Sequence, residues 1–199
     1  MKTPNEENLC QHYLADQQLH QLLEKVDEDL AKKTREGGCL KCLEGKLHRS
    51  DYPRKPRGDP KHNEQVHRDS FCCDRDGCRK RHTPPSVRFL GRKVYWGFIV
   101  VLVSSMRHGL KPERLGILRQ ILGVDRRTLE HWRQWWLENF VPGRFWKAAR
   151  ARFMPRICEK TLPLSLCERF EIDRRDRLLE LLKFLAPITT HSIALAHLI

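Results

Sequence analysis

Four of the eight cysteines form two close pairs, and these pairs constrain the fold more than any other feature of the sequence. Two residues separate Cys39 from Cys42, and four separate Cys73 from Cys78. Glycines lie near both pairs, as expected for tight turns that direct two thiolates at one ion. Two such turns supply the four sulfur ligands of a tetrahedral structural zinc site. The sequence therefore predicts one structural Zn²⁺ ion held by these four cysteines.

The choice of ligands leaves alternatives open. Cys72 adjoins Cys73, and neighbouring side chains on a strand point to opposite faces, so only one of them ligates readily. We choose Cys73, which gives the commoner spacing to Cys78, and expect Cys72 to pack as a small hydrophobic side chain. His82 ranks second as a replacement ligand. Unligated loop thiols and a redox pair are the competing interpretations, but a thioredoxin-like pair would open a helix in a βαβ unit.

Short strands are expected beside the cysteine pairs, in "KLHRSDY" after the first and "RDSFCC" before the second. Two hairpins that share one ion form a zinc ribbon. The polar, proline-rich stretch "PRKPRGDPKHNEQVH" between them is expected to be a surface insertion. The other cysteines lack glycine turns and are expected to be buried structural thiols. They are Cys10, Cys158 and Cys167.

The charge of the chain is high and unevenly distributed. The formal net charge is +13, although residues 1–30 are acidic. A basic body behind an acidic arm favours a polyanionic partner, most often nucleic acid. The most apolar run, "VYWGFIVVLV", is about half as long as a membrane helix, and the N-terminus has no signal-peptide core. We therefore expect no membrane association, and a cytoplasmic location with the nucleoid.

An acidic amphipathic helix is predicted over residues 8–35. Its apolar stripe consists of Leu19, Leu22, Leu23, Val26 and Leu30. Two interpretations remain open. The helix pairs with a protein partner or a second copy of the chain, or it folds back on its own domain.

Three helices are predicted after the cysteine-rich segment. The first covers Gly91 to Arg107 and is capped by Ser86 or a nearby residue. The second begins at Pro112, a favoured first-turn residue, and ends at Gly123. Asp125 caps the third helix. Two helices joined by a short, glycine-containing turn are typical of a helix-turn-helix unit, whose second helix enters the major groove of DNA.

The third helix has two faces when its residues are placed 100° apart. The predicted core face consists of Leu129, Trp132 and Trp136. The opposite face carries the candidate base-reading side chains Arg127, His131 and Gln134. At the margin lie the candidate phosphate contacts Arg126 and Arg133. Arginine and glutamine make bidentate hydrogen bonds to guanine and adenine, so this face is a candidate DNA-binding surface.

The chain resembles the N-terminal DNA-binding part of bacterial insertion-sequence transposases. The resemblance is carried by the first cysteine pair, by "FCCDRDGCRKRHTPPSVRFLGRKVYWGFIVVL" and by "ILGVDRRTLEHWRQWW". The resemblance covers about Gly37 to Phe140. It implies zinc ligation by the two cysteine pairs and a recognition helix over Arg126 to Gln134. It also implies double-stranded DNA as the partner, with sites like transposon ends.

Such transposases also carry a catalytic domain with three carboxylates on a sheet, and the remaining 59 residues here are predicted to be helical. Asp173 and Asp176 lie in an arginine-rich stretch, where surface ion pairs are the better interpretation. We therefore predict no catalytic residues and no enzyme activity. A basic helix that binds phosphates is expected from Arg144, Lys147, Arg150, Arg152 and Arg156.

The predicted fold is mainly α with a small β zinc ribbon, a three-helix helix-turn-helix core and C-terminal helices. It divides into an acidic helix (1–36), a zinc ribbon with a basic loop (37–86), a helix-turn-helix domain (87–141) and a helical region (142–199). The predicted function is that of a transposase-like DNA-binding accessory, regulator or remnant. An RNA-binding zinc-ribbon protein and a protein-interaction adaptor remain as alternatives.

Overall fold

The computed structural model describes residues 6–54, 66–90, 95–107 and 110–190. It is mostly helical with a few short antiparallel strands, which confirms the predicted fold class at this level. The helices are α1 (Glu6–Ala15), α2 (Gln17–Glu36), α3 (Gly97–Ser105), α4 (Pro112–Leu122), α5 (Arg126–Trp135), α6 (Arg144–Ala149), α7 (Leu164–Phe170) and α8 (Arg175–Leu185). The strands are β1 (Leu47–Arg49), β2 (Tyr52–Arg54), β3 (Val66–Arg68), β4 (Phe71–Cys73), β5 (Arg81–His82), β6 (Phe89–Leu90) and β7 (Tyr95–Trp96).

The strands form three small antiparallel sheets. Strand β4 lies between β1 and β5, with Leu47 opposite Cys73 and Phe71 opposite His82. Strands β2 and β3 pair with each other, so the strands expected beside the cysteine pairs are present. Most of the expected surface insertion between them, residues 55–65, lies outside the described residues.

Helices α1 and α2 pack against the rest of the chain. The Asp16 carboxylate accepts a hydrogen bond from the Leu19 backbone N–H at 3.0 Å and so caps the start of α2. One face of α2 buries Leu19 and Leu23, one helical turn apart. The Tyr13 hydroxyl of α1 donates to the Ile172 carbonyl at 2.9 Å. The N-terminal helices therefore fold back on their own chain, while pairing with a protein partner or a second copy stays a prediction.

Helix α3 is the centre of the fold, and all nine of its residues are buried. Most of its side chains belong to a core shared with α1, α2, α4, α5 and α8. Val101 belongs to a second core, which also contains Trp136, Trp146 and Leu181. The main core thus draws on three of the four predicted segments. The cysteine segment has a small core of its own, to which Ala31 of α2 contributes. Among the described residues, every helix is too short or too polar to span a bilayer.

Helix α3 is shorter than predicted. It begins at Gly97 rather than Gly91, because strands β6 and β7 pair just before it. The predicted cap is also wrong. The Ser86 hydroxyl donates to Asp27 at 2.6 Å and accepts from the backbone N–H of Phe89, so it shapes the entry into β6 instead. Residues 91–94 and Gly109, at which the helix was expected to close, lie outside the described residues.

The boundaries of α4 and α5 follow the local signals in the sequence. Pro112 lies in the first turn of α4, and Gly123 adopts a left-handed conformation with φ of 61° at its end. Such a conformation suits glycine at a helix C-terminus. The Asp125 carboxylate accepts from the Thr128 backbone N–H at 2.7 Å, which caps α5. The predicted pair of helices, with its three-residue turn, is therefore present.

Candidate metal centre and exposed helical face

The four predicted ligands lie together. The Sγ atoms of Cys39, Cys42, Cys73 and Cys78 are all within 4.8 Å of one another. Sγ of Cys39 is 3.7 Å from that of Cys78, and Sγ of Cys42 is 3.6 Å from that of Cys73. Zn–S bonds of about 2.3 Å in a tetrahedron place sulfur atoms about 3.8 Å apart. The cluster therefore has the donor set and the spacing to hold a metal ion.

Two tight turns present these thiols. In the first, the Cys39 N–H donates to the Gly45 carbonyl at 3.0 Å and the Leu43 N–H donates to the Cys39 carbonyl at 2.8 Å. In the second, which follows β4, the Cys78 N–H donates to the Arg75 carbonyl at 3.1 Å. Gly77 has φ of +81° in this turn, a backbone conformation that favours glycine. Each turn folds the chain back, so that both of its sulfur atoms face the other turn.

Gly45 leaves room for the sulfur atoms. A Cβ atom at this position would lie 2.2 Å from Sγ of Cys73 and 3.2 Å from Sγ of Cys42. The first distance is far shorter than any real carbon–sulfur contact, so a side chain here would displace the Cys73 thiol. The Gly45 N–H also donates to Sγ of Cys42 at 3.3 Å. The glycine next to the first pair is therefore required by its close approach to the sulfur atoms.

The electrostatic environments of the thiols differ. Backbone N–H groups of Glu44 and Gly45 lower the pKa of Cys42 to about 6, because they stabilise its thiolate. Burial raises the pKa of Cys73 to about 12. Without a compensating cation, a buried cluster of thiolates is unfavourable, whereas a divalent cation offsets the accumulated negative charge. The four-thiol donor set could therefore hold a metal ion.

His82 lies beside the cluster. Its side chain is buried, and Nε2 is 3.2 Å from Sγ of Cys39. Burial lowers the pKa of His82, with the nearby positive charge of Lys41 acting in the same direction. A side chain that contacts a ligand atom in this way orients it. The structure places His82 next to one thiol, while the mutually close group consists of the four cysteines.

The remaining cysteines have mixed outcomes. Cys72 is half-buried and its thiol donates to the Arg79 carbonyl at 3.4 Å, outside the cluster, whereas Cys73 lies inside it. Cys10 and Cys167 are buried, as predicted. The prediction for Cys158 is wrong, because its side chain is exposed. Its neighbour Ile157 packs against the second core without it.

One face of α5 is exposed to solvent in the way the helical angles predict. Leu129, Trp132 and Trp136 are buried. The exposed side chains on the opposite face are Arg127, His131 and Gln134. The placement of these side chains is therefore confirmed. Their contacts with DNA bases stay a prediction.

The two flanking arginines have contacts within the protein. Nε of Arg126 lies 2.7 Å from Oε1 of Glu130, in an exposed ion pair. The Arg133 guanidinium donates to the carbonyls of Val103 and Met106, both at 3.1 Å, at the C-terminal end of α3. Sequence reasoning missed this role, for which the only signal is the position of Arg133 beside the core face. Phosphate contacts by these arginines stay a prediction.

The cations expected to form a basic helix are all exposed. They are Arg144, Lys147, Arg150, Arg152 and Arg156. Only the first two lie on α6, and Arg150 is paired with Glu159 at 3.1 Å. Asp173 and Asp176 are exposed, and Asp176 lies 3.6 Å from Nε of Arg174. This agrees with surface ion pairing in the arginine-rich stretch.

Comparisons of the chain with protein-family models, with curated proteins and with solved structures found no match. The resemblance to insertion-sequence transposases therefore depends on the cysteine pairs and the helix pair alone.

Proposed function

We propose that this chain is a DNA-binding protein whose fold depends on zinc and that reads duplex DNA with α5. The observation that carries the proposal is the exposed face of Arg127, His131 and Gln134, on the second helix of a pair with a three-residue turn. In a helix-turn-helix unit this face enters the major groove. The formal net charge of +13 favours binding to a polyanion.

The proposed role of zinc is structural. Four cysteine ligands complete a tetrahedral site and leave no open position for a water molecule or substrate. The ion would hold the two turns together beside β1, β4 and β5, in the manner of a zinc ribbon. Within the described residues, the core at this small sheet consists of five buried side chains, one of them from α2. Metal binding therefore supplies stability that apolar burial at this sheet does not.

The biological context that we propose is transposition. The combination of a cysteine ribbon with a helix-turn-helix unit supports a transposase-like accessory, regulator or remnant, with transposon-end-like sites as the DNA target. A non-enzymatic role is favoured by the surface ion pairing of the arginine-rich C-terminal stretch, whose acidic side chains were the candidates considered for a catalytic centre. Location at the nucleoid follows from the proposed DNA binding.

The metal part of the proposal is tested by elemental analysis of the purified protein. We expect one zinc ion per chain. Cys73→Ser should lose most of the zinc, while Cys72→Ser, its neighbour in sequence, should retain it. If Cys73→Ser kept its zinc and Cys72→Ser lost it, the ligand assignment would be wrong.

The DNA part is tested by selection from a random duplex library. We expect the wild-type protein to enrich a motif and Arg127→Ala to relax one position of it, at a cost of about 1–3 kcal/mol. Lys160→Ala, which removes an exposed cation away from α5, is the matched control and should enrich the same motif. If the wild-type protein enriched no motif, the reading of bases by α5 would be excluded. A match between the motif and the terminal repeats of a neighbouring mobile element would support transposition.

A further inference from the structure

A pocket of about 600 Å³ lies between α6 and α8, away from α5 and from the cysteine cluster. Its wall contains four phenylalanines, which are Phe145, Phe153, Phe170 and Phe184. We call it the phenylalanine pocket. Ligand-binding pockets in proteins have this size and are mostly apolar, with a few polar groups at defined places.

The aromatic wall is fixed by its own packing. The ring centre of Phe184 lies 5.2 Å from that of Phe145, 5.4 Å from that of Phe153 and 5.9 Å from that of Phe170. Phe153 in turn stacks on the buried Trp146. Phe145, Phe170 and Phe184 are only half-buried, so parts of their rings face the pocket. A flat ring that enters the pocket would meet aromatic surfaces already held in position.

The rim of the pocket is positively charged. Arg152 and Lys183 line it and are exposed, and within the described part of the chain neither has a carboxylate within ion-pair distance. Glu180 is the acidic side chain at the rim, and Nη1 of Arg177 lies 2.9 Å from its Oε2. The negative charge of Glu180 is thus largely offset, while two cations remain available to an anion.

We propose that the phenylalanine pocket binds one nucleotide, with the base against the phenylalanines and the phosphate between Arg152 and Lys183. Bases stack on aromatic side chains in a sequence-tolerant way, and guanidinium and ammonium groups bind phosphate. An aliphatic ligand would leave the cations unused, and inorganic phosphate would leave the rings unused. The nucleotide is either free or an unpaired residue of a single strand. The site is separate from the duplex-binding face of α5.

Fluorescence anisotropy of a labelled short oligothymidylate, with the zinc-loaded full chain, tests this proposal. Three competitors are used. Unlabelled oligothymidylate and thymidine monophosphate distinguish a single-strand residue from a free nucleotide as the ligand, and inorganic phosphate tests whether the phosphate group alone is bound. We expect saturable binding that inorganic phosphate at equal concentration does not reverse. Competition by the monophosphate identifies a nucleotide site as such, and competition by the oligonucleotide alone identifies a single-strand site. Absence of binding, or equal competition by inorganic phosphate, would overturn the proposal.

A variant that fills the pocket locates the site. Ala148 lines the pocket, whereas Ala151, on the next turn, is exposed and does not. Ala148→Trp should weaken oligothymidylate binding at least about tenfold, and Ala151→Trp should leave it unchanged. Unchanged affinity of Ala148→Trp, or equal losses in both variants, would contradict the assignment. Thermal unfolding of both variants checks that they fold.

A second pair of variants tests the rim without touching the aromatic wall. Lys183→Gln should weaken binding several-fold, and Lys160→Gln, which removes an exposed lysine elsewhere, should not. Equal effects of the two substitutions would show that Lys183 acts only through the overall charge of the protein, and would overturn the phosphate assignment. Motif selection on duplex DNA should be unaffected by Ala148→Trp. Failure of the nucleotide site and failure of duplex reading by α5 are therefore distinguishable.

Discussion

Nε of Arg88 lies 3.0 Å from Oδ2 of Asp27, and both side chains are almost completely buried. The same carboxylate accepts from the Val87 backbone N–H at 2.7 Å, and the same guanidinium donates to the His67 carbonyl at 3.1 Å. This pair therefore joins α2, β3 and the residues directly before β6.

Loss of the Asp27 carboxylate should destabilise the protein strongly. Asp27→Ala removes the buried carboxylate that pairs with the Arg88 guanidinium, which costs about 3–5 kcal/mol. Glu24→Ala is the matched control, because Glu24 binds the same guanidinium at 3.1 Å but is exposed. It should cost less than about 1 kcal/mol. Urea unfolding of the two variants measures the difference, and equal losses would show that burial of the pair does not determine its strength.

Replacing Gly45 should weaken metal binding. The added Cβ of Gly45→Ala would meet Sγ of Cys73 and move it from the cluster, so we expect zinc affinity to fall about 10- to 100-fold. Gly116→Ala, in α4, places its Cβ in open space and should instead stabilise the protein by about 0.5–1 kcal/mol. Zinc competition with a chromophoric chelator and thermal unfolding are the two measurements. Wild-type zinc affinity in Gly45→Ala would mean that the first turn adjusts freely.

Arg133 should contribute to the stability of the protein through its contacts with the end of α3. Arg133→Ala removes the hydrogen bonds to the carbonyls at the end of α3, and we expect a loss of about 1–3 kcal/mol in the free energy of unfolding. Arg127→Ala removes an exposed side chain of the same helix and should change stability by less than about 0.5 kcal/mol. Denaturant titration without DNA compares them. If both variants unfolded like the wild type, the contacts of Arg133 would contribute nothing.

Tyr13 should make the fold sensitive to strong alkali. Burial, together with the negative charges of Asp173 and Asp16, raises the pKa of Tyr13 to about 12. The unfolded value is about 10, so the folded state favours the neutral phenol. Its contribution is complete below about pH 10 and is lost as the pH rises towards about 12.

The comparison for this prediction is Tyr13→Phe. At neutral pH it should cost about 1 kcal/mol, because the hydrogen bond to the Ile172 carbonyl is lost. Between about pH 10 and 12 its stability should fall less steeply than that of the wild type. Urea unfolding across this range tests the difference. Parallel curves would show that the Tyr13 phenol has the same pKa in the folded and unfolded states, and would contradict the prediction.

Local signals in the sequence predicted local features of the structure correctly. Gly123 and Asp125 mark the turn between α4 and α5, since each acts on backbone groups within four residues. The two cysteine pairs predicted the cluster, because thiols presented by tight turns have few alternative arrangements. The amphipathic pattern of α5 predicted its buried and exposed faces, because that pattern depends only on the helical repeat.

Contacts between distant residues had no such signal. Asp27 and Arg88 are 61 residues apart, and neither local context distinguishes them from surface charges. Ser86 was assigned to a helix cap because its actual partner, Asp27, lies far away in sequence. The phenylalanine pocket likewise combines side chains of α6 and α8 that only tertiary packing brings together.

The N-terminal helices α1 and α2 are held by contacts with residues that lie far away in the sequence. Tyr13 bonds to Ile172, and Asp16 pairs with Arg175 at 2.8 Å, each 159 residues away in sequence. On the ribosome, Tyr13 and Asp16 are synthesised 159 residues before these partners. Until then the apolar faces of α1 and α2 lack the α8 side chains that share their core. A chain that is truncated before Ile172 would therefore lack both contacts and be a better substrate for proteolysis than the longer chain.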